Sequence, residues 1–410
     1  MSTVQVYSEI GKLRDVILHR PGTEIEQMTP TNSHEALYSD ILNLPLVTQE
    51  YAQFEGVLSK FCHTHQLKDL LSKSLENEDS RINLIKNVLA KENAEFLMPE
   101  MMSLNAEELS KYLIEGYPYK KGVHPEVYAG KRYVLRPLYN LFFTRDASSS
   151  VYDGVLIHSM STEVRSRESL IMEHIFQSFT DATIIKPALL SEGANTEGGD
   201  VLIARDDVLF IGNGVRTNKA GIEFLVNYFT ARKSKQHILI QELPDKPDSF
   251  IHLDMVFNFL AKDTCMVFEP LIAKHNQYRA THIEIDNGKV SYHHKNNFLE
   301  GVKDLGFDLR PLLCGGSDAW IQEREQWHSG ANFFCMDDGK VIGYSRNMKT
   351  IETLNQAGFD VLQARDICSG KVDMKDYKRF VVTFNASELP RGGGGARCMT
   401  MPFFREIVNW

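Results

Sequence analysis

Asp207-Val208-Leu209-Phe210-Ile211-Gly212 reads as an apolar strand entered from a polar turn, followed by a polar loop, a helical pattern near Ala220–Phe229 and a strand at His237–Gln241. The same order occurs on either side of it. Upstream, Asp153-Gly154-Val155-Leu156-Ile157-His158 precedes an Arg/Glu-rich loop, a helix near Glu168–Phe179 and a strand at Ala182–Lys186. Downstream, Asp338-Gly339-Lys340-Val341-Ile342-Gly343-Tyr344 precedes Asn347, a helix near Thr350–Ala357 and a strand at Asp360–Gln363. Repetition of turn, strand, loop, helix and strand predicts supersecondary units packed side by side, as a radial array or as a layered α/β fold. The opening segment from Ile10 to Gly22 reads as a further strand ended by a Pro-Gly turn.

Residues 66–122 break the pattern. Leu67, Leu70, Leu71 and Leu75 lie at helical spacing, and Asn105-Ala106-Glu107-Glu108 before Leu109 matches a capping box, so a helical insertion is expected there, packed on the main body. No Gly- or Pro-rich linker flanks it, so residues 1–410 are expected to form a single domain containing the subdomain 66–122. A hydrophobic content of 43% and a charged content of 24% are those of an ordinary globular chain. No apolar run is long enough to span a bilayer and the N-terminus lacks signal-peptide character, which predicts a cytoplasmic protein without a membrane partner. The net charge of −9 argues against nucleic acid. Six cysteines without a CxxC pair suggest neither a disulfide framework nor a zinc site.

Four short stretches bear the reactive groups. Asn140-Leu141-Phe142-Phe143-Thr144-Arg145-Asp146 is an aromatic run ending in a charge pair where a strand should stop. Thr196-Glu197-Gly198-Gly199-Asp200 sets two carboxylates around a Gly-Gly turn that leads into a strand at Val201–Ala204. In Phe250-Ile251-His252-Leu253-Asp254-Met255-Val256, strand periodicity would put His252 and Asp254 on one face. Last comes Arg391-Gly392-Gly393-Gly394-Gly395-Ala396-Arg397-Cys398-Met399-Thr400-Met401-Pro402, whose glycines suit a close backbone approach. A cation beside Cys398 is expected to lower the thiol pKa, although Arg397 reads equally as a solvated loop residue. Each stretch alone fits a turn or a solvated face. Together, thiol, imidazole and carboxylates are the parts of a Cys-His nucleophilic hydrolase.

With Phe143-Thr144-Arg145-Asp146, Glu197-Gly198-Gly199-Asp200, His252-Leu253-Asp254 and Cys398-Met399-Thr400-Met401-Pro402 in this order, the chain resembles the bacterial arginine deiminases of the guanidino-group-modifying superfamily. Ser8-Glu9-Ile10-Gly11-Lys12-Leu13, Ile211-Gly212-Asn213-Gly214 and Arg324-Glu325-Gln326-Trp327 support the resemblance, which covers essentially the whole chain. It implies a five-bladed ββαβ propeller of pseudo-fivefold symmetry (the pentein fold) with a helical insertion. It also implies Cys398 as nucleophile, His252 and Glu197 as proton carriers, and Asp146 and Asp254 as the grip on a guanidinium. Asn140, Phe143, Arg165 and Arg216 would hold the amino-acid end of the substrate, L-arginine, with both arginines on its carboxylate. No metal and no organic cofactor are expected, and a homo-oligomer is. The alternatives are agmatine deiminase, a methylarginine hydrolase, an amidinotransferase, or a non-catalytic arginine-binding propeller. The chain departs from the family pattern at Ala147, in the plain Gly392–Gly395 run and in the weakly acidic segment Ser33–Leu42.

Overall fold

The computed structural model describes residues 2–128, 130–187, 193–233 and 235–410. One path recurs five times among them: two antiparallel strands, a helix, and a strand returning parallel to the second. Ser148–Val151 and Gly154–Ile157 are followed by the helix Ser166–Phe179 and by Thr183–Ile185. Val201–Arg205 and Val208–Asn213 lead through Lys219–Ala231 to Gln236–Glu242, and the hairpin Ala280–Asp286 with Lys289–Lys295 widens that sheet to five strands. Phe257–Ala261 and Thr264–Val267 reach Arg310–Leu313 by way of Phe298–Asp304. Phe334–Asp337 and Lys340–Tyr344 are followed by Met348–Gln356 and Asp360–Gln363, with Phe380–Phe384 inserted between strands. The remaining unit joins distant parts of the chain: Met401–Arg405 pairs antiparallel with Leu13–Leu18, which pairs parallel with His63–Gln66 after the helix Leu44–Phe61.

The three units expected from sequence are present with their boundaries shifted by a few residues. The second strands of the units centred on Gly154–Ile157 and Thr264–Val267 are buried at every position, which is why they read as continuous apolar runs rather than alternating ones.

Between Gln66 and Tyr117 lie the helices Leu67–Ser74, Glu78–Lys91, Met98–Ser103 and Ala106–Glu115. Leu67, Leu71, Ile85, Val88, Leu109 and Leu113 share one buried cluster with Ile171, Met172 and Ile175 of the helix Ser166–Phe179, so these helices rest on the unit that contains it rather than standing apart. The capping box is made: Glu108 N donates to Asn105 Oδ1 at 2.9 Å, and Asn105 N donates to the Glu108 carboxylate at 3.3 Å. Such a cap contributes on the order of 1 kcal/mol. Among the described residues no helix is long and apolar enough to cross a membrane.

Two local expectations fail. His252 and Asp254 are not on a strand face: His252 is extended and Leu253–Met255 is a single 3-10 turn, with the strand beginning only at Phe257. The aromatic run 140–146 is likewise a chain of turns before the strand Ser148–Val151, and no strand ends there. In both stretches backbone amides bond three residues back within their own turns, as Asp146 N does to Phe143 O and Met255 N to His252 O, and this overrides the strand propensity of the aromatic and branched residues.

Candidate active site

The groups singled out from sequence come together because each sits in the turn that leads into the first strand of a unit. Asp146 precedes Ser148–Val151, Glu197 and Asp200 flank a 3-10 turn before Val201–Arg205, His252 and Asp254 precede Phe257–Ala261, and Cys398 precedes Met401–Arg405. The turns interlock through their backbones. Arg145 N donates to Cys398 O at 3.1 Å and Gly198 N donates to Asp146 O at 3.1 Å.

The glycines of Glu-Gly-Gly-Asp are the contact surfaces of this assembly. A Cβ on Gly198 would lie 2.0 Å from Arg145 O, and one on Gly199 would lie 2.5 Å from the His252 ring. Removing both side chains lets the Asp146 turn and the His252 turn pack on the two sides of one peptide segment. Glu197 and Asp200 then reach the His252 turn. Glu197 Oε2 lies 3.0 Å from His252 Nε2, and Leu253 N donates to Asp200 Oδ1 at 2.9 Å.

The glycine run before the cysteine has a similar explanation. Gly393 is left-handed at φ +86°, and a Cβ on Gly394 would come within 2.5 Å of the Phe143 ring. Tyr344 Oη donates to Gly394 O at 2.9 Å, and the Glu50 carboxylate accepts from the backbone N–H groups of Ser387, Glu388 and Leu389 at the start of the loop.

Each of the two carboxylates expected to grip a guanidinium has one oxygen braced by a buried arginine. Arg165 Nη1 donates to Asp146 Oδ2 at 2.6 Å, and Arg397 Nη1 donates to Asp254 Oδ2 at 2.9 Å. The other oxygens are less engaged, with Asp146 Oδ1 facing His252 Nδ1 at 3.8 Å. Asp146 Oδ1 is buried without a hydrogen-bond partner among the described residues, and Asp254 Oδ1 meets only Cys398 Sγ, at 3.9 Å. Arg397 is therefore not a solvated loop residue. It is 1% exposed and also donates to Glu9 and to Val201 O.

The electrostatics follow from burial opposed by pairing. Desolvation would lower the His252 pKa, but Asp146 and the hydrogen bond to Glu197 outweigh it and push it up to about 9. Desolvation would raise Glu197, yet the His252 hydrogen bond and Arg216 hold it well below the usual carboxylate range. Burial lifts Asp200 to about 7. Cys398 differs from the sequence expectation: desolvation, then Asp254 and Asp146, raise its pKa well above the ordinary thiol value, and the lowering effect of Arg397 is too small to compensate. Burial and the two acids thus favour the protonated thiol, and a cation placed between Asp146 and Asp254 would oppose their effect.

A narrow cavity of about 320 Å³, counting its open mouth, is lined by Asn140, Phe143, Asp146, Arg165, Arg216, His252, Gly392–Gly394 and Cys398, with Leu37 and Ile251 at the side. Arg165 and Arg216 occupy equivalent loops, after the second strand of their units and before the helix. They are held differently. Arg165 is saturated by Asp146, Glu168 and two backbone carbonyls, whereas Arg216 Nη1 lies 3.7 Å from Glu197 and has no hydrogen-bond partner among the described residues. Asn140 donates its amide to Ala36 O at 2.8 Å, tying the 29–38 loop to the cavity wall. Asp146, Glu197 and His252 bring potential metal-ligating atoms within 4.8 Å of one another, but Arg165, Arg216 and the protonated His252 already face those carboxylates with positive charge. A larger depression beneath Lys60–His63 and Phe403–Phe404 is lined by Asp15, Cys62 and His63, but it includes none of the turns described above, and burial pushes the Cys62 thiol up to about 12.

One member of the assembly carries no sequence motif. Asn332, in the turn before Phe334–Asp337, is buried against Cys398 and Asp254. Its position before the first strand of a unit is the signal that the other four turns share.

A family model described as arginine deiminase matches residues 34–405. The chain belongs to the arginine deiminase family. It is 32% identical over 429 residues to an arginine deiminase of Staphylococcus haemolyticus and 30% identical over 437 residues to one of Borreliella afzelii; at least 99% of each sequence is covered in both comparisons. Membership places it among the hydrolases of guanidino C–N bonds. Its fold is the mixed α/β pentein fold. It is similar to the N-terminal domain of a cyanobacterial arginine dihydrolase (TM-score 0.54, 12% identity, 96% of this chain and 99% of that one). A dimethylarginine dimethylaminohydrolase from Pseudomonas aeruginosa gives 0.52 at 12% identity, over 96% and 100% of the two chains. An amidinotransferase from Microseira wollei gives 0.53 at 13%, over 99% and 98%.

Proposed function

We propose that the chain hydrolyses L-arginine to L-citrulline and ammonia through a covalent amidino-cysteine at Cys398. The observation that carries this reading is the pair of carboxylates beside the thiol, each braced on its outer oxygen by an arginine and open on the other. A planar guanidinium fits between Asp146 and Asp254, which fix its orientation by charge-assisted hydrogen bonds. Its positive charge opposes the two acids that keep the thiol protonated and draws Cys398 toward the thiolate.

The thiol proton leaves to solvent as the cation seats, and the thiolate attacks the guanidinium carbon, giving a tetrahedral adduct. His252, protonated in the resting enzyme, delivers its proton to one nitrogen, and ammonia departs as the C–N bond breaks. The neutral imidazole, oriented by Glu197, then accepts a proton from water as the oxygen adds to the same carbon. Collapse breaks the C–S bond as the adduct's hydroxyl forms the ureido C=O and its proton passes to the departing sulfur, which releases citrulline and restores the thiol. These steps call on no metal or organic cofactor.

Arg216, Asn140, Phe143 and Arg165 are proposed to hold the α-amino-acid end. Arg216 is best placed for the carboxylate because its Nη1 has an unused donor, while Arg165 serves chiefly to brace Asp146. The five strand-strand-helix-strand units are proposed to be the blades of a pseudo-fivefold propeller, in one catalytic domain over residues 1–410 with residues 66–122 as its helical subdomain. A cytoplasmic location and a homo-oligomeric state belong to the same proposal. Incubation with L-arginine, agmatine and dimethylarginine in turn, with ureido product and ammonia assayed, tests substrate choice. Product from agmatine alone would overturn it, and transfer to an added amine would favour an amidinotransferase.

A further inference from the structure

We propose that Asn332 is a positioning residue for the nucleophile, clamping the Cys398 loop with its carbonyl and hydrogen-bonding the sulfur with its amide. The inference rests on Cys398 being the attacking group. Arg397 N donates to Asn332 Oδ1 at 2.9 Å and Cys398 N donates to the same oxygen at 3.4 Å. Two N–H groups facing one atom require it to be the carbonyl oxygen, so the orientation of the amide is fixed by its partners. Its other end then points Nδ2 at Cys398 Sγ, 3.3 Å away, and at Asp254 O, 3.1 Å away. One buried side chain thus spans the backbone on either side of the Arg397–Cys398 peptide, the sulfur, and the turn that carries Asp254.

The Gly395 backbone also lowers the thiol pKa, and it belongs to the loop that Asn332 clamps. The charged and titratable groups around the thiol are Asp254 and Asp146 on their turns, Arg397 on its own loop, His252, Arg165 and Arg216 across the cavity, and Tyr344 on the strand Lys340–Tyr344, whose hydroxyl is committed to Gly394 O. Asp254 approaches the sulfur only as an acceptor, at 3.7 and 3.9 Å, and disfavours a thiolate. The Asn332 amide is a neutral donor, so it stabilises a thiolate without repelling a cationic substrate. Asn332 itself is held from behind. Asn258 donates to both Asp254 O and Ala331 O, joining the two turns, and a Cβ on Gly395 would strike the Asn332 side chain at 2.7 Å. The turn before the first strand of each unit therefore supplies at least one group to the assembly around Cys398, and Asn332 is the contribution of the turn before Phe334–Asp337.

Asn332→Asp keeps the oxygen that clamps the loop and replaces the amide donor by a second oxygen. The test measures citrulline formation and the pH dependence of Cys398 alkylation by iodoacetamide, followed by mass spectrometry, for wild type, Asn332→Asp and Asn332→Ser. For Asn332→Asp we expect kcat to fall at least about tenfold with KM within about threefold, and the alkylation midpoint to rise by about one pH unit or more. Asn332→Ser, whose shorter side chain keeps neither the clamp nor the amide at the sulfur, should lose at least as much kcat as Asn332→Asp. If Asn332→Asp does not fold, the serine variant decides: wild-type kcat and alkylation midpoint with only a lowered Tm would show a merely structural residue and overturn the proposal. Wild-type values for a folded Asn332→Asp would overturn it equally. Cys398→Ser is the control for the underlying reading. If that variant retains turnover, Cys398 is not the nucleophile, whereas the alkylation arm still reports on the Asn332–sulfur bond without any turnover.

Discussion

Arg397 and Asp254 form a buried ion pair, Nη1 to Oδ2 2.9 Å, and the residue that follows Arg397 is the proposed nucleophile. The same guanidinium is held from its other side by Glu9. Orientation of the carboxylate beside Cys398 therefore depends on a three-member network that starts near the beginning of the chain.

Breaking that network should be costly, because removing one member leaves an uncompensated buried charge, typically about 3–5 kcal/mol. Arg397→Gln is expected to lose stability of about this size in urea denaturation. A loss below about 1 kcal/mol would mean that Glu9 and Asp254 find other partners.

Glu9 gives the network a signature in acid. Desolvation opposes its ionisation, but Arg397 and Arg145 win and lower its pKa from 4.5 to about 2. A depressed carboxylate contributes stability that is present above its unfolded pKa and is lost as pH falls toward the folded one, about 3 kcal/mol for a shift of this size. The stability difference between wild type and Glu9→Gln should be constant above about pH 5 and shrink between about pH 4.5 and 2. A difference independent of pH would show that Glu9 is not ionised in the fold.

His252 sets the alkaline limit. Its folded pKa of about 9 lies above the ordinary 6.5, so its contribution to stability is complete below about 6.5 and is lost as pH rises through 9. The general acid is lost over the same range, and kcat/KM for arginine should decline above about pH 9. In Glu197→Gln the decline should begin at lower pH, because the Nε2 hydrogen bond to a carboxylate is among the causes of the shift. Identical alkaline limbs would exclude His252 as the titrating group.

The acids around the thiol lead to opposite effects on reactivity and turnover. Burial, Asp254 and Asp146 raise the Cys398 pKa, so Asp254→Asn should make Cys398 more reactive toward iodoacetamide near neutral pH while lowering citrulline formation by at least about a hundredfold. Slower alkylation together with lost turnover would mean that Asp254 activates the thiol directly.

Arg216→Ala should raise KM for L-arginine about tenfold or more with kcat little changed, and leave any activity on agmatine untouched. Equal damage with both substrates would move the carboxylate site elsewhere.

Much of the site was legible because its chemistry sits in short contiguous stretches: Glu197-Gly198-Gly199-Asp200 and His252-Leu253-Asp254 pack against each other as they stand. Three of the five repeating units were visible for the same reason. The unit from Phe257 to Leu313 escaped notice because the hairpin Ala280–Lys295, inserted in the middle of it, pairs with the neighbouring sheet. The unit of Leu13–Leu18 and Met401–Arg405 was hidden because its strands are nearly four hundred residues apart. Asn332 lies in Ser329-Gly330-Ala331-Asn332, where nothing in residue type distinguishes a clamp from a turn. The burial of Arg397, and the direction in which it leaves the Cys398 pKa, depend on Glu9 and Asp254 meeting in space. No spacing along the chain encodes that meeting.

The strand Met401–Arg405 closes its sheet against Leu13–Leu18, and the turn before it brings Cys398 to partners fixed by all the preceding units. A nascent chain emerging from the ribosome can complete the other four turns of the site while its opening strand still lacks its antiparallel neighbour. On the proposed mechanism, stalled or prematurely released chains lacking Cys398 would be inert toward arginine whatever their state of folding.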